Sequence, residues 1–263
     1  MARLKDKTII ITGATSGIGE AAARLCIAEG AQVLIHGLDA PAGKALVEEL
    51  GTKAHFYQAD LKDPSTPKKI IAAAIAAFGQ IDGLVNNAAY IVRSNLDSTD
   101  VTLFDEVMAV NVRAPMLLIK AARPYLRATQ GSVVNIGSVN AYTGEPRLLA
   151  YAVSKGALMT LSRNLGNVLA TEQIRVNHFN LGWVLTANEY KYKLADGLPK
   201  DWPEQLGADE IPSGKMTQPE DIARQIVFWL SDESRPISGT VMELNQYPII
   251  ARIPSKEGDN HDT

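Results

Sequence analysis

The chain has 263 residues, 46% of them hydrophobic, and 26 Lys and Arg against 29 Asp and Glu give a formal net charge of −3, no electrostatic footprint for nucleic acid or an anionic membrane surface. A single cysteine, Cys26, rules out an internal disulfide, and histidines at 36, 55, 178 and 261 show no metal-ligand spacing, so no metal is expected. The N-terminus runs directly into an apolar segment, and no stretch reaches the roughly eighteen apolar residues of a membrane span, which points to a cytoplasmic protein.

Thr8 to Thr12 is a β-branched run suited to a strand covered on both faces. It turns through Gly13-Ala-Thr-Ser-Gly17-Ile-Gly19 into good helix formers that end at Glu29, before Gly30. Glycines there permit positive φ and close approach of a ligand, and the helix N-terminus carries partial positive charge, so the segment reads as a pyrophosphate cradle. Its spacing differs from the better known Gly-x-Gly-x-x-Gly, although the mechanics are the same. The alternation then repeats. Strands are predicted at Val33 to His36, Lys53 to Gln58, Gly83 to Asn87, Ser132 to Ile136, Ile174 to Phe179 and Thr240 to Leu244. Helices are predicted at Pro41 to Leu50, Pro64 to Phe78, Ala150 to Ala170 and Gln218 to Leu230, with one long helix from Val101 to Thr129 interrupted around Pro115. This is an α/β pattern, a single-domain, Rossmann-type doubly wound parallel sheet over residues 1–247 with helices on both faces and strand order 3-2-1-4-5-6-7. A ligand belongs at the carboxyl ends of the strands, between the first and fourth. Residues 182–215 are too long for a turn and read as a lid over that edge, with a capping-box pattern at Thr186-Ala-Asn-Glu189 opening a short helix. Residues 248–263 read as a polar C-terminal tail.

Two residues past the fifth strand stands Ser138, and a helix then carries Tyr151-Ala-Val-Ser-Lys155. Tyr151 and Lys155 share one helix face, about one turn apart. An ammonium near a phenol favours the phenolate, so the pair predicts a tyrosine with a lowered pKa, able to move protons near neutrality.

At this point the chain resembles the short-chain dehydrogenase/reductase family. Thr12-Gly13-Ala-Thr-Ser-Gly17-Ile-Gly19 matches that family's cofactor loop, Asn86-Asn87-Ala88-Ala89 its fourth-strand motif, and Asn111, Ser138, Tyr151 and Lys155 its catalytic tetrad. The likeness runs from about Lys5 to Leu244. It implies a nicotinamide dinucleotide held by Gly13, Thr15, Ser16, Gly17, Ile18, Gly19, Leu38, Asp60, Leu61, Asn87, Ala88, Ala89, Tyr151, Lys155, Gly182, Val184 and Thr186. It also implies that Tyr151 exchanges a proton with the substrate oxygen, Ser138 hydrogen-bonds that oxygen, Lys155 holds the ribose hydroxyls and Asn111 holds a relay water. Homotetramers or dimers built on the long helices are a further implication. Leu181 stands where the family commonly has proline, which predicts a less rigid loop, and Asn245-Gln246-Tyr247 replaces the usual Asp-Gly-Gly.

Cofactor choice is expected to be NAD over NADP, because Gly37, Leu38 and Ser16 offer no cation to a 2′-phosphate and Asp39 repels one, with His36 left as a possible donor. Substrate contacts are expected from Tyr90, Arg93, Asn140, Arg147, Trp183 and Asn188, supported by Tyr142, Glu145, Tyr190 and Trp202. Such polar and aromatic walls predict a small polar substrate: a sugar, polyol or sugar acid, oxidised at a secondary hydroxyl or formed from the ketone. A 3-oxoacyl or simple ketone reductase is the nearest alternative. A cofactor-binding regulator on the same fold is the non-enzymatic one.

Overall fold

The computed structural model describes residues 2–247. Seven strands form one sheet: β1 (Thr8–Thr12), β2 (Gln32–Gly37), β3 (Ala54–Gln58), β4 (Gly83–Asn86), β5 (Ser132–Ile136), β6 (Arg175–Leu181) and β7 (Val241–Leu244). All neighbouring strands pair in parallel, in the order β3-β2-β1-β4-β5-β6-β7 expected from the alternation. The helices are α1 (Gly17–Ala28), α2 (Ala40–Leu50), α3 (Thr66–Phe78), α4 (Val101–Met108), α5 (Ala114–Thr129), α6 (Leu149–Val168), α7 (Ala187–Ala195) and α8 (Pro219–Leu230).

Period-two alternation divides the strand side chains between two cores. Ile9, Ile11, Val33, Ile35, Val85, Val134 and Phe179 face one way and pack with α1 and α8. Ile10, Leu34, Leu84, Val133 and Val176 face the other and pack with α3 and α5. The run from Ile226 to Leu230 lies in the first core, so it serves the packing of this chain rather than a free apolar face. No helix among the described residues is long and apolar enough to cross a membrane.

The interruption expected around Pro115 is present in the long helix. The long helix breaks at Ala109–Arg113, a π turn, and Pro115 falls in the first turn of α5 rather than at the break itself. Proline offers no N–H to the carbonyl four residues back, so the ladder widens before it. At Leu181, where the family commonly has proline, the backbone is strand. With no proline there, β6 continues through Leu181, which pairs with Leu244, and Gly182 N–H donates to the Leu244 carbonyl at 3.0 Å.

Arg175 anchors α8 to the sheet. The residue is 4% exposed, and its guanidinium meets no carboxylate among the described contacts and donates to the carbonyls of Trp229 at 3.2 Å and Ser231 at 3.0 Å and to Ser234 Oγ at 2.5 Å. Carbonyls at a helix C-terminus carry partial negative charge, which is why a cation is tolerated there. Arg175→Ala is expected to destabilise the fold by about 3 kcal/mol in chemical denaturation, since three buried acceptors lose a charged donor. A loss under about 0.5 kcal/mol, the size of an ordinary surface change, would contradict this reading of the anchor.

Candidate active site

The carboxyl ends of β1, β4, β5 and β6 meet at one edge, and the local sequence fixes what stands there. After β1 the chain must pass very close to the β4 loop. A Cβ on Gly13 would lie 2.8 Å from Ala88 Cα, and one on Gly19 would lie 2.3 Å from the Gly13 carbonyl oxygen. Thr12 Oγ1 accepts from the N–H groups of Asn87 and Ala88 at 3.0 and 3.1 Å, and Asn87 Nδ2 donates to the carbonyls of Thr12 and Gly13 at 2.9 and 3.0 Å. These bonds hold the glycine loop open above the sheet. Ser16 is the N-cap of α1 but its side chain makes no capping bond, so the first N–H groups of α1 are left to an outside acceptor. That donor set, lined by glycine, fits a pyrophosphate.

Around this loop the other cofactor candidates take different parts. Thr15 packs against Gly37, where a Cβ would lie 2.6 Å from Thr15 Cγ2. Ile18 leans on the core. Leu38 is 65% exposed at the end of β2, a free apolar surface beside the loop. Asp60 Oδ1 accepts from Lys62 N–H at 2.8 Å, while the Leu61 side chain is buried in the core and leaves only main chain to the site. Ala89 is exposed, Gly182 lies beneath Asn245, and Val184 is buried and bridges to Thr217. Thr186 Cγ2 would stand 3.3 Å from a Cβ on Gly17, so the start of the lid helix sits over the glycine loop. His36 is committed elsewhere. Its Nε2 lies 3.0 Å from the Ala59 carbonyl and must donate to it, so Nδ1 is an acceptor and the donor role considered for His36 is withdrawn.

The tetrad positions converge on α6. Tyr151 is 8% exposed and electrostatically coupled to Ser138, whose Oγ accepts from Asn140 N–H at 3.2 Å. Lys155 is 2% exposed, and its Nζ donates to the Ile136 carbonyl at 2.8 Å and lies 5.4 Å from the Tyr151 ring centroid. Asn111, in the π turn, accepts from Tyr90 N–H at 2.7 Å and donates to the Tyr90 carbonyl at 3.1 Å and Ser154 Oγ at 2.9 Å. Ser154 Oγ donates in turn to the Tyr151 carbonyl at 2.7 Å, so Asn111 ties the β4 loop to α6.

The electrostatics depart from expectation. Burial pushes the Tyr151 phenol up to about 12, against a lowering by the Ser138 side chain and with a further raising by the Glu189 carboxylate. Burial alone takes the Lys155 ammonium down to about 8. The lowered tyrosine pKa expected from the ammonium is therefore not what the protein presents by itself, because desolvation of the phenolate outweighs a cation aimed at the Ile136 carbonyl.

The substrate candidates divide. Asn140 stays beside Ser138, and Trp183 lies in the lid. Arg93 is paired with Asp196, which fastens the β4 loop to α7, and the Tyr90 ring packs on the core with Lys62 Nζ 4.6 Å above it. Arg147 and Asn188 are exposed. Trp202 is 1% exposed and stacks on Trp183 with ring centroids 5.2 Å apart, so this indole builds a small core inside the lid rather than a pocket wall. The capping box at Thr186 is half formed: Thr186 Oγ1 accepts from Glu189 N–H at 3.0 Å, but the Glu189 carboxylate turns to Trp183 Nε1 at 2.8 Å. Sequence reading left Glu189 out of the site because its spacing already explained it as a cap.

A parallel sheet with an anion cradle after its first strand and a buried Tyr–Lys pair at the same edge defines the oxidoreductase class of dinucleotide-binding proteins. Comparison with known proteins agrees. A family model described as enoyl-(acyl carrier protein) reductase matches residues 13–246. A short chain dehydrogenase of Penicillium brasilianum is 34% identical over 259 residues, covering 93% of this chain and 97% of that protein. The 2-(S)-hydroxypropyl-CoM dehydrogenase 3 of Xanthobacter autotrophicus is 33% identical over 248 residues, 92% of this chain and 96% of its own. The 2,5-dichloro-2,5-cyclohexadiene-1,4-diol dehydrogenase of Sphingobium indicum is 33% identical over 247 residues, with the same coverage of 92% and 96%. The chain belongs to the short-chain dehydrogenase/reductase family, whose members use a nicotinamide cofactor.

Proposed function

We propose that the protein transfers hydride between a nicotinamide dinucleotide, NAD in preference to NADP, and a small polar secondary alcohol or the corresponding ketone. The observation that carries this is the buried group of Ser138, Tyr151 and Lys155 at the edge where the glycine loop offers its N–H groups. When bound, the nicotinamide supplies the hydride acceptor or donor. Tyr151 then holds the proton at the substrate oxygen, and Ser138 donates a second hydrogen bond to that oxygen. Lys155 spends one N–H on the Ile136 carbonyl and keeps two for the ribose hydroxyls. The Asn111 side chain is fully engaged with Tyr90 and Ser154, so holding a relay water falls to its carbonyl, which Pro115 cannot pair in α-helical fashion.

A protonated Tyr151 donates, which suits ketone reduction near neutrality, whereas alcohol oxidation needs the phenolate. The oxidation rate is therefore expected to climb with pH between about 7 and 9, by up to tenfold per unit while the phenol remains mostly protonated. A flat profile would contradict Tyr151 as the base.

The NAD preference is supported by Leu38, exposed where a cation would be needed, by Asp39, which caps α2 through Ala42 N–H at 3.0 Å, and by His36, already used as a donor. Specificity constants for the two cofactors with one alcohol test it. NAD is expected to lead by roughly tenfold or more, about the worth of one charge-assisted contact, and a lead for NADP would overturn it. A polar substrate is supported by Asn140, whose N–H donates to Ser138, by the carboxylate and indole of the lid at Glu189 and Trp183, and by relatives named for a hydroxypropyl compound and a diol. An oxidation screen over sugars, polyols, sugar acids, hydroxy acids and hydrophobic alcohols decides this. Turnover confined to the hydrophobic set would refute it.

A further inference from the structure

Glu189 is a charged group of the lid that the proposed chemistry leaves unused. It stands at the third position of α7, one turn after Thr186, which lies against the glycine loop. Its Oε1 is fixed by the Trp183 indole N–H at 2.8 Å and lies 3.8 Å from Lys193 Nζ, and that ammonium sits 4.8 Å from the Trp183 ring centroid. Its Oε2 takes no hydrogen bond among the described residues. Thr186, the N-cap of α7, packs against Gly17 and so sets this end of the helix at the cofactor edge, in keeping with the raising effect of the carboxylate on the Tyr151 phenol. The one cation that the β4 loop offers nearby, Arg93, is spent on Asp196.

A carboxylate held by an indole, with one oxygen spare and a side chain 30% exposed, is a preorganised acceptor. We propose that Glu189 determines substrate specificity, its Oε2 accepting a hydrogen bond from a hydroxyl or ammonium group borne near the reacting carbinol. A carboxylate at that place on the substrate would meet a like charge at short range, offset in part by Lys193. Within the polar-alcohol reading on which this rests, the favoured substrates are neutral polyols or amino alcohols, and sugar acids are disfavoured.

Three probes of matched shape, D-glucitol, D-gluconate and D-glucamine, test this on the wild type and on Glu189→Gln. The variant keeps an oxygen for the Trp183 N–H, and thermal melting checks that it folds. Turnover with NAD and calorimetric binding to the NADH-loaded enzyme are both read. In the wild type, gluconate is expected to be at least roughly tenfold poorer than the other two, and in Glu189→Gln that gap is expected to shrink by about the same factor as glucamine weakens and gluconate improves. An unchanged ratio in the folded variant, or gluconate as the best of the three in the wild type, overturns the role of Glu189. If none of the three is turned over while hydrophobic alcohols are, the polar-alcohol reading falls instead. The probes are then run as competitive inhibitors of the alcohol that reacts, where gluconate binding as tightly as glucamine overturns the Glu189 proposal as well.

Discussion

Tyr151→Phe is expected to lower turnover by roughly 10²- to 10⁴-fold, the range attributed to a positioned acid or base, while dinucleotide affinity changes only a few-fold. The ring is buried and would keep its packing, and what disappears is the oxygen proposed to exchange the proton. Loss of the hydroxyl also removes a buried polar group, so melting should not suffer greatly. Dinucleotide titration, melting and initial rates on the same preparation separate the outcomes. A variant that binds cofactor normally and retains most of the wild-type rate would exclude Tyr151 as the proton-handling group.

Lys155→Met carries the second large effect. The ammonium is 2% exposed with a single carbonyl partner at 2.8 Å, so it stands there against a desolvation cost that an apolar side chain of similar length does not bear. Turnover should fall at least roughly a hundredfold and cofactor affinity should fall with it, since the donors for the ribose hydroxyls are gone. Stability should behave in the opposite way. The folded pKa of Lys155 is depressed to about 8 from 10.5, so between those values the unfolded chain binds more protons than the native one. That contribution is present above 10.5 and is lost as pH falls through about 8. Wild-type stability relative to Lys155→Met is therefore expected to rise with pH across that window, by on the order of 3 kcal/mol at most. Denaturation curves at several pH values check this; a difference independent of pH would show that Lys155 is not held against desolvation.

The sheet was legible because the strands read as continuous apolar runs separated by helix-length segments, and handedness leaves few orders for such a chain. The placement of Tyr151, Lys155 and Ser138 at one edge was legible because Tyr151 and Lys155 share a helix face and Ser138 follows a strand end, both local facts. What escaped depended on contacts between distant residues. Pro115 marks the break in the long helix, but only the ladder upstream shows that the break is a π turn that places Asn111 between Tyr90 and Ser154. Trp202 looked like a pocket wall because an indole in a lid can serve either a ligand or the lid, and Ile211 and Met216 decide in favour of the lid. The Tyr151 pKa was misjudged for the same reason, since spacing gives the distance between phenol and ammonium along a helix but not the burial that outweighs it. The tail, residues 248–263, lies outside the described residues.

Isotope transfer puts the proposed reaction to its most direct test. An alcohol that the screen shows to be oxidised is prepared with deuterium on its carbinol carbon, and the reduced dinucleotide formed by the wild-type enzyme is weighed by mass spectrometry. Hydride transfer at the site of Ser138, Tyr151 and Lys155 requires the deuterium to appear in the reduced dinucleotide and predicts that Tyr151→Phe forms almost none of it. Unlabelled reduced dinucleotide, or ketone formed without any, would contradict it.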